Sequence, residues 1–173
     1  MNILKLFSQI STFVFDIDGV LTDGSLYLLQ DGILARRMNI KDGYALQLAI
    51  KKGYRIIIIS GAFSEEVNFR LQKLGITEVL MKVTDKKRVL SEYVAVNQLD
   101  WKKMLYMGDD IPDLSVMGEV LLPCCPADAV PEIKVISKYI SSIKGGNGCA
   151  RDVIEKVLKL NDHWEINTGI VSM

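Results

Sequence analysis

Asp16 and Asp18 stand two residues apart at the end of a short apolar run, Phe13-Val14-Phe15, and lead into Gly19-Val20-Leu21-Thr22-Asp23-Gly24. If the chain stays extended past Asp16, both carboxylates share one side and Ile17 faces away. Two acids so close repel unless a cation or a shared proton intervenes. A strand-end Asp capping the next element, with a second Asp in a turn, would give the same letters. Three more stretches bear on the choice. Ser60-Gly61 closes a second apolar run, Lys86-Lys87-Arg88 opens a helical pattern, and Gly108-Asp109-Asp110 closes a third run. Carboxylates from two strands make an oxygen-rich site suited to Mg2+, which keeps several waters and accepts phosphate oxygens. A hydroxyl beside a glycine at a helix start suits a phosphoryl group, and a lysine there neutralises its charge. Together these residues ask for a phosphate ester.

Such chemistry needs elements that bring distant residues to one place. Apolar, β-branched runs predict strands at 12–15, 55–60, 78–83, 104–107, near 120–122 and, weakly, at 139–140. Helical spacing occupies 44–53, 64–75, 86–97, 111–117 and 150–160, with a turn at 126–132. Strands alternating with helices argue for an α/β fold, a Rossmann-like parallel sheet with helices on both faces. Ligands bind such sheets outside the carboxyl ends of the strands, the edge where Asp16, Ser60 and Asp109 emerge. The one departure from alternation lies at about 24–39, where Asp31-Gly32 between two strand-like runs signals a β-hairpin. It reads as a flap over the strand ends or an edge used for association, and no large cap domain is inserted. The tail at 161–173 has no clear periodicity.

The chain has 173 residues, expected to fold as one domain, with 21 basic and 21 acidic side chains. Zero net charge gives no electrostatic support for binding nucleic acid or an anionic membrane. No stretch is long and apolar enough to span a bilayer, and residues 1–11 lack the features of a secretory leader. Cys124, Cys125 and Cys149 form neither a disulfide framework nor a zinc spacing. Packed, reduced thiols and a cytoplasmic location are therefore expected.

Asp16-x-Asp18-Gly-Val-Leu-Thr-Asp, Ser60, Lys86 and Gly108-Asp109-Asp110-x-x-Asp113 match, in order and spacing, the four motifs of haloacid dehalogenase superfamily phosphatases. The chain resembles that family over about residues 12–155. Within it, Asn39-Ile-Lys-Asp-Gly43, Ala127-Asp128-Ala129 and Gly145-Gly-Asn-Gly148 with Arg151 are similar to 3-deoxy-D-manno-octulosonate 8-phosphate phosphatases and their nonulosonate-phosphate relatives. The resemblance implies a small sugar acid phosphate as substrate, with Asp16 as nucleophile and Asp18 as acid and base. It implies Mg2+ on Asp16, the Asp18 backbone carbonyl and Asp109. Ser60, Gly61 and Lys86 would hold the phosphoryl group, with Asp110 and Asp113 in support behind them. It also implies a homotetramer in which hairpins pair across subunits and a tail can close a neighbour's site.

Other readings of single residues stay open at this point. Lys82 and Lys87 compete with Lys86 for the phosphate. Lys41, Asp42, Gly43 and Arg36 are candidate substrate contacts, although Asp42 is equally a helix N-cap. His163 reads as a surface residue. Ala62 stands where the octulosonate phosphatases usually carry Arg, and Val130 where they tend to carry His, so eight- and nine-carbon sugar acids both fit. A phosphorelay receiver and a non-catalytic assembly domain are the readings from other classes.

Overall fold

The structure, a computed structural model, describes residues 2–166 and 169–170. In chain order the elements are α1 (Ile3–Phe7), β1 (Thr12–Phe15), β2 (Tyr27–Leu28), β3 (Leu34–Ala35), α2 (Ile40–Lys51), β4 (Arg55–Ile59), α3 (Glu65–Lys73), β5 (Glu78–Leu80), α4 (Lys86–Val96), β6 (Met104–Met107), α5 (Leu114–Met117), β7 (Leu122–Cys125), α6 (Pro131–Ile136), β8 (Tyr139–Ile140) and α7 (Cys149–Leu160). Six strands form one sheet in the order β5-β4-β1-β6-β7-β8, each neighbouring pair parallel. This is the expected Rossmann-like α/β arrangement.

The runs Phe13-Val14-Phe15 and Ile56–Ile59 are apolar at every position because both faces of the sheet are covered. One core packs Phe13, Phe15, Ile56 and Ile58 against α2, α3 and α7; the other packs Val14, Ile57, Ile59 and Tyr106 against α4, α5 and α6. With β1 central, Phe13 faces Ile56 on one side and Leu105 on the other, so the three strands end level. Asp16, Ser60 and Gly108-Asp109 each follow directly.

The hairpin exists, but its strands are two residues each and Gln30–Gly32 forms a helical turn at the tip. A bridge from Thr22 to Met38 ties its base. Its outer residues are apolar and open: Leu26, Tyr27, Leu28, Leu29 and Ile33 are all exposed.

Several boundaries differ from expectation. The strand expected near 120–122 runs Leu122–Cys125, with Pro123 inside it; the Pro123 carbonyl accepts from the Lys138 amide, and Leu122, Cys124 and Cys125 are buried. The strand expected over 78–83 stops at Leu80, two residues before the left-handed turn at Lys82. The helix expected over 111–117 is a tight turn, Ile111–Asp113, followed by one α-turn. α1 and α6 were not expected, being too short for a helical period to register. Asp42 is not an N-cap: Asn39 caps α2 by accepting the Lys41 amide, and Asp42 lies in the first turn, buried. His163 is half-buried, its Nδ1 2.9 Å from the Tyr54 hydroxyl. The tail, which has no clear periodicity in the sequence, packs Trp164 on Tyr44 and Arg151, while residues 167–168 and 171–173 lie outside the described residues. Among the described residues no helix is long and apolar enough to cross a membrane.

Candidate active site

Asp16 leaves β1 with its amide still in the sheet, donating to the Met107 carbonyl at 3.1 Å. Its carboxylate is buried; Oδ1 accepts the Ile17 amide at 2.7 Å and Oδ2 meets the Lys86 ammonium at 3.0 Å. Lys86 opens α4 behind the Asp85 cap, and its side chain is 4% exposed. Its other partner is Asp113 Oδ1 at 2.7 Å.

Asp113 is saturated. The Tyr106 hydroxyl donates to the same Oδ1 at 2.6 Å, and the Asp109 and Asp110 amides reach Oδ2 at 3.2 and 3.5 Å. This carboxylate therefore fixes Lys86 and the turn carrying Asp109 together. Asp110, expected to orient the metal or Lys86, lines the same cleft; its carboxylate accepts the Ile111 amide and caps the next turn. Tyr106 escaped the sequence reading, although a tyrosine within an apolar strand needs a buried partner for its hydroxyl.

One Asp109 oxygen, Oδ1, is buried with no hydrogen-bond partner. Oxygens of Asp16, Asp109 and Asp113 lie within 4.8 Å of one another. Burial, then the charges of Asp113 (for Asp16) and of Asp16 and Asp113 (for Asp109), push both pKa values up to about 7. An unsatisfied carboxylate oxygen facing a second carboxylate is what a divalent cation would relieve. The residues present fit Mg2+, with Asp16 and Asp109 as the acids free to bind it. Burial pulls the Lys86 pKa down, but Asp113 and Asp16 overcome this and hold it above the ordinary lysine value. Gly19 closes the same space: its φ is +85°, and a Cβ there would lie 1.9 Å from Asp109 Oδ2.

Asp18 is on the rim, its side chain 35% exposed and held by Arg36 from the hairpin base, Nε to Oδ1 at 2.6 Å and Nη2 to Oδ2 at 3.3 Å. The Thr22 hydroxyl lies 3.5 Å from Oδ1. Arg36 therefore stands beside the chemistry, though its partner here is Asp18. Ser60 is buried after β4, its Oγ accepting the Ala62 amide at 3.2 Å. Asp16, Asp18, Ser60, Gly61, Lys86, Asp109, Asp110 and Asp113 line one cleft of about 470 Å³.

The other candidates lie elsewhere. Lys87 pairs with Glu119 on the surface at 2.5 Å, and Lys82 sits 4.4 Å from the Phe63 ring, so neither is in the cleft. Lys41, Asp42 and Gly43 do not line it either. Lys41 borders a separate cavity with Arg151, and Asp42 Oδ1 accepts the Arg151 amide at 2.7 Å. Their position at the start of α2 turns them toward α7 instead.

No protein-family model matches the chain. A 3-deoxy-D-manno-octulosonate 8-phosphate phosphatase from Yersinia pestis is 31% identical over 98% of this chain and 90% of its own length. The crystal structure of the Yersinia pestis phosphatase superposes with a TM-score of 0.92 at 32% identity, covering 96% of this chain and 90% of that one. The Moraxella catarrhalis phosphatase, solved with magnesium, phosphate and 3-deoxy-D-manno-octulosonate, gives 0.89 at 30% identity, covering 93% of each chain. With relatives of this identity aligned along nearly the whole chain, and a Rossmann-like sheet carrying the four motifs at one edge, the chain belongs to the 3-deoxy-D-manno-octulosonate 8-phosphate phosphatase family of haloacid dehalogenase-type phosphoric monoester hydrolases.

Proposed function

We propose that this protein hydrolyses a 2-keto-3-deoxy sugar acid phosphate, 3-deoxy-D-manno-octulosonate 8-phosphate in the first instance, through an aspartyl-phosphate on Asp16. The observation that carries the reading is the buried Asp16 carboxylate set between the Lys86 ammonium and Asp109 with its unpartnered oxygen. An Asp16 oxygen attacks phosphorus, the ester P–O bond breaks, and Asp18 gives its proton to the departing sugar oxygen. Asp18 then takes a proton from a water that attacks the aspartyl-phosphate, freeing inorganic phosphate and restoring the Asp16 carboxylate. Lys86 and Ser60 bear the charge of the phosphoryl oxygens, and Asp113 keeps Lys86 in line. When bound by Asp16, Asp109 and the Asp18 backbone carbonyl, Mg2+ supplies Lewis-acid charge that offsets repulsion between two anions.

Among the described residues no domain covers the cleft, and the apolar hairpin beside it is exposed. Both features support assembly into a homotetramer in which neighbouring chains complete the cover. Arg36 is the cation nearest the acid and is placed to meet the sugar acid as Asp18 lets go of it.

A screen of phosphate release over eight- and nine-carbon sugar acid phosphates and simple sugar phosphates tests the reading. Turnover is expected to need Mg2+, to stop on chelation, and to favour the octulosonate ester. Asp16→Asn is expected to lose on the order of a thousandfold or more in kcat. Activity surviving in that variant would remove Asp16 as nucleophile. Preference for a nine-carbon ester would move the substrate assignment, as Ala62 in place of the usual Arg allows.

A further inference from the structure

Three of the stretches that carry the family resemblance line no part of the cleft: 39–43, 127–129 and 145–151. They meet behind it, on the back of the loop that follows Asp18. The Gly145 amide donates to Asp128 Oδ1 at 2.9 Å, and Asn147 Nδ2 donates to the Gly145 carbonyl at 2.8 Å. The Gly146 amide and the Cys149 thiol both donate to the Val20 carbonyl, at 2.9 and 3.2 Å. Asp42 ties the start of α7 to α2 through the Arg151 amide. The contact is backbone on backbone: a Cβ on Gly145 would lie 1.9 Å from the Gly19 carbonyl oxygen and 3.2 Å from that of Thr22.

Gly19 and Thr22 are the neighbours of Asp18 in sequence and in space. Asp16 is held independently by the Met107 carbonyl within the sheet. A push from Gly145 therefore falls first on Gly19 and Asp18, and reaches Asp16 only through the metal that the Asp18 carbonyl would share with it. We infer that Gly145 and Asp128 are positioning residues of the reaction, setting the Asp18 carboxylate against the leaving oxygen from behind the loop. This rests on the acid role given to Asp18 above.

The signature is a dependence on the leaving group. A sugar alkoxide needs a proton to depart, whereas p-nitrophenolate leaves without one. In Gly145→Ala, kcat/KM for the sugar phosphate is expected to fall about 100-fold, the scale of a misplaced general acid. For p-nitrophenyl phosphate at saturating Mg2+ the fall is expected to stay within about tenfold, since that bond breaks without the acid and only the hold of the Asp18 carbonyl on the metal is disturbed. Asp128→Ala should show the same split, and Asp128→Asn, which keeps an oxygen for the Gly145 amide, should restore the sugar phosphate to within about threefold. Gly53→Ala is the stability control. Gly53 has a left-handed φ of +83° and faces open space, so alanine there lowers stability through backbone strain without touching the loop. Equal losses on both esters in Gly145→Ala and Asp128→Ala would overturn the inference, as would Asp128→Asn behaving like Asp128→Ala. Should Gly145→Ala not fold, the two Asp128 variants carry the comparison alone. A wild-type protein that released phosphate from neither ester would instead remove the phosphatase reading, a different result.

Discussion

At the scale of residues, buried charge decides what can be changed. Lys86 is enclosed by Asp16 and Asp113, so removing the ammonium leaves two carboxylates in a dry site. Lys86→Met is expected to abolish turnover and to lower stability by about 3 kcal/mol in urea denaturation, the usual cost of stripping one partner from a buried pair. An unchanged midpoint would show that the pair is solvated and the burial misjudged. Asp42 offers a test in pH. Burial pushes its pKa up to about 6, against the opposing pull of the Arg151 amide and charge, and its Oδ2 has no partner. The folded chain keeps this proton between about pH 4 and 6, where the unfolded chain has released it. The stability it confers is complete below about pH 4 and is lost as pH rises through 6. Asp42→Asn keeps an acceptor for the Arg151 amide and cannot titrate. Relative to that variant, the wild type should lose on the order of 3 kcal/mol between pH 4 and 7. A flat difference across that range would contradict it. Asp16, Ser60 and Asp109 were legible because each closely follows an apolar run, and Lys86 because it opens a helix. Asp42 and Asp128 stood in motifs of the resemblance, but their role was not legible, because an acid that serves a distant backbone amide has no local pattern to announce it.

At the scale of elements, the sheet was readable and its trimmings were not. Val14 and Ile56–Ile59 sit in strands covered on both faces, and that burden shows as unbroken apolar sequence. α1 and α6 are single turns or little more, too short for any period, and Pro123 disguised β7 as a break. The hairpin was announced by Asp31-Gly32, yet two-residue strands cannot stand alone in water. It is pinned by Arg36 on Asp18 and by Arg37, whose Nε meets Asp23 Oδ2 at 2.8 Å and whose Nη2 meets Asn147 at 3.2 Å. Because Arg37 is half exposed, Arg37→Ala should cost less than about 1 kcal/mol of global stability. Amide exchange over 26–35 should nonetheless quicken several-fold, since local opening needs only the pins to fail. Protection unchanged at those amides would mean that something else secures the hairpin.

At the scale of the whole molecule, an apolar surface is left without cover. Leu28 is 79% exposed, with Leu26, Tyr27 and Leu29 beside it, a patch that a soluble monomer rarely keeps. The protein is expected to sediment as an oligomer at micromolar concentration and Leu28→Asp as a monomer; a wild-type monomer would remove the tetramer from the reading. The hairpin, as a flap or an edge for association, was visible in the sequence, but which surface covers it depends on a second chain and leaves no local trace. The backing of the Asp18 loop by Gly145 has a further consequence, for the order in which a ribosome makes the parts. Asp16, Ser60, Lys86 and Asp109 are all synthesised before Gly145, so the wall behind Asp18 arrives after every one of them. A fragment stopped after Lys144 holds every motif of the chemistry but lacks both that wall and the α7 side chains Val153, Ile154, Val157 and Leu158 that fill the core, so it should neither fold nor release phosphate. Phosphate release should begin only in chains stopped beyond α7, so catalytic competence would be acquired once that helix has been made, well after the last motif of the chemistry.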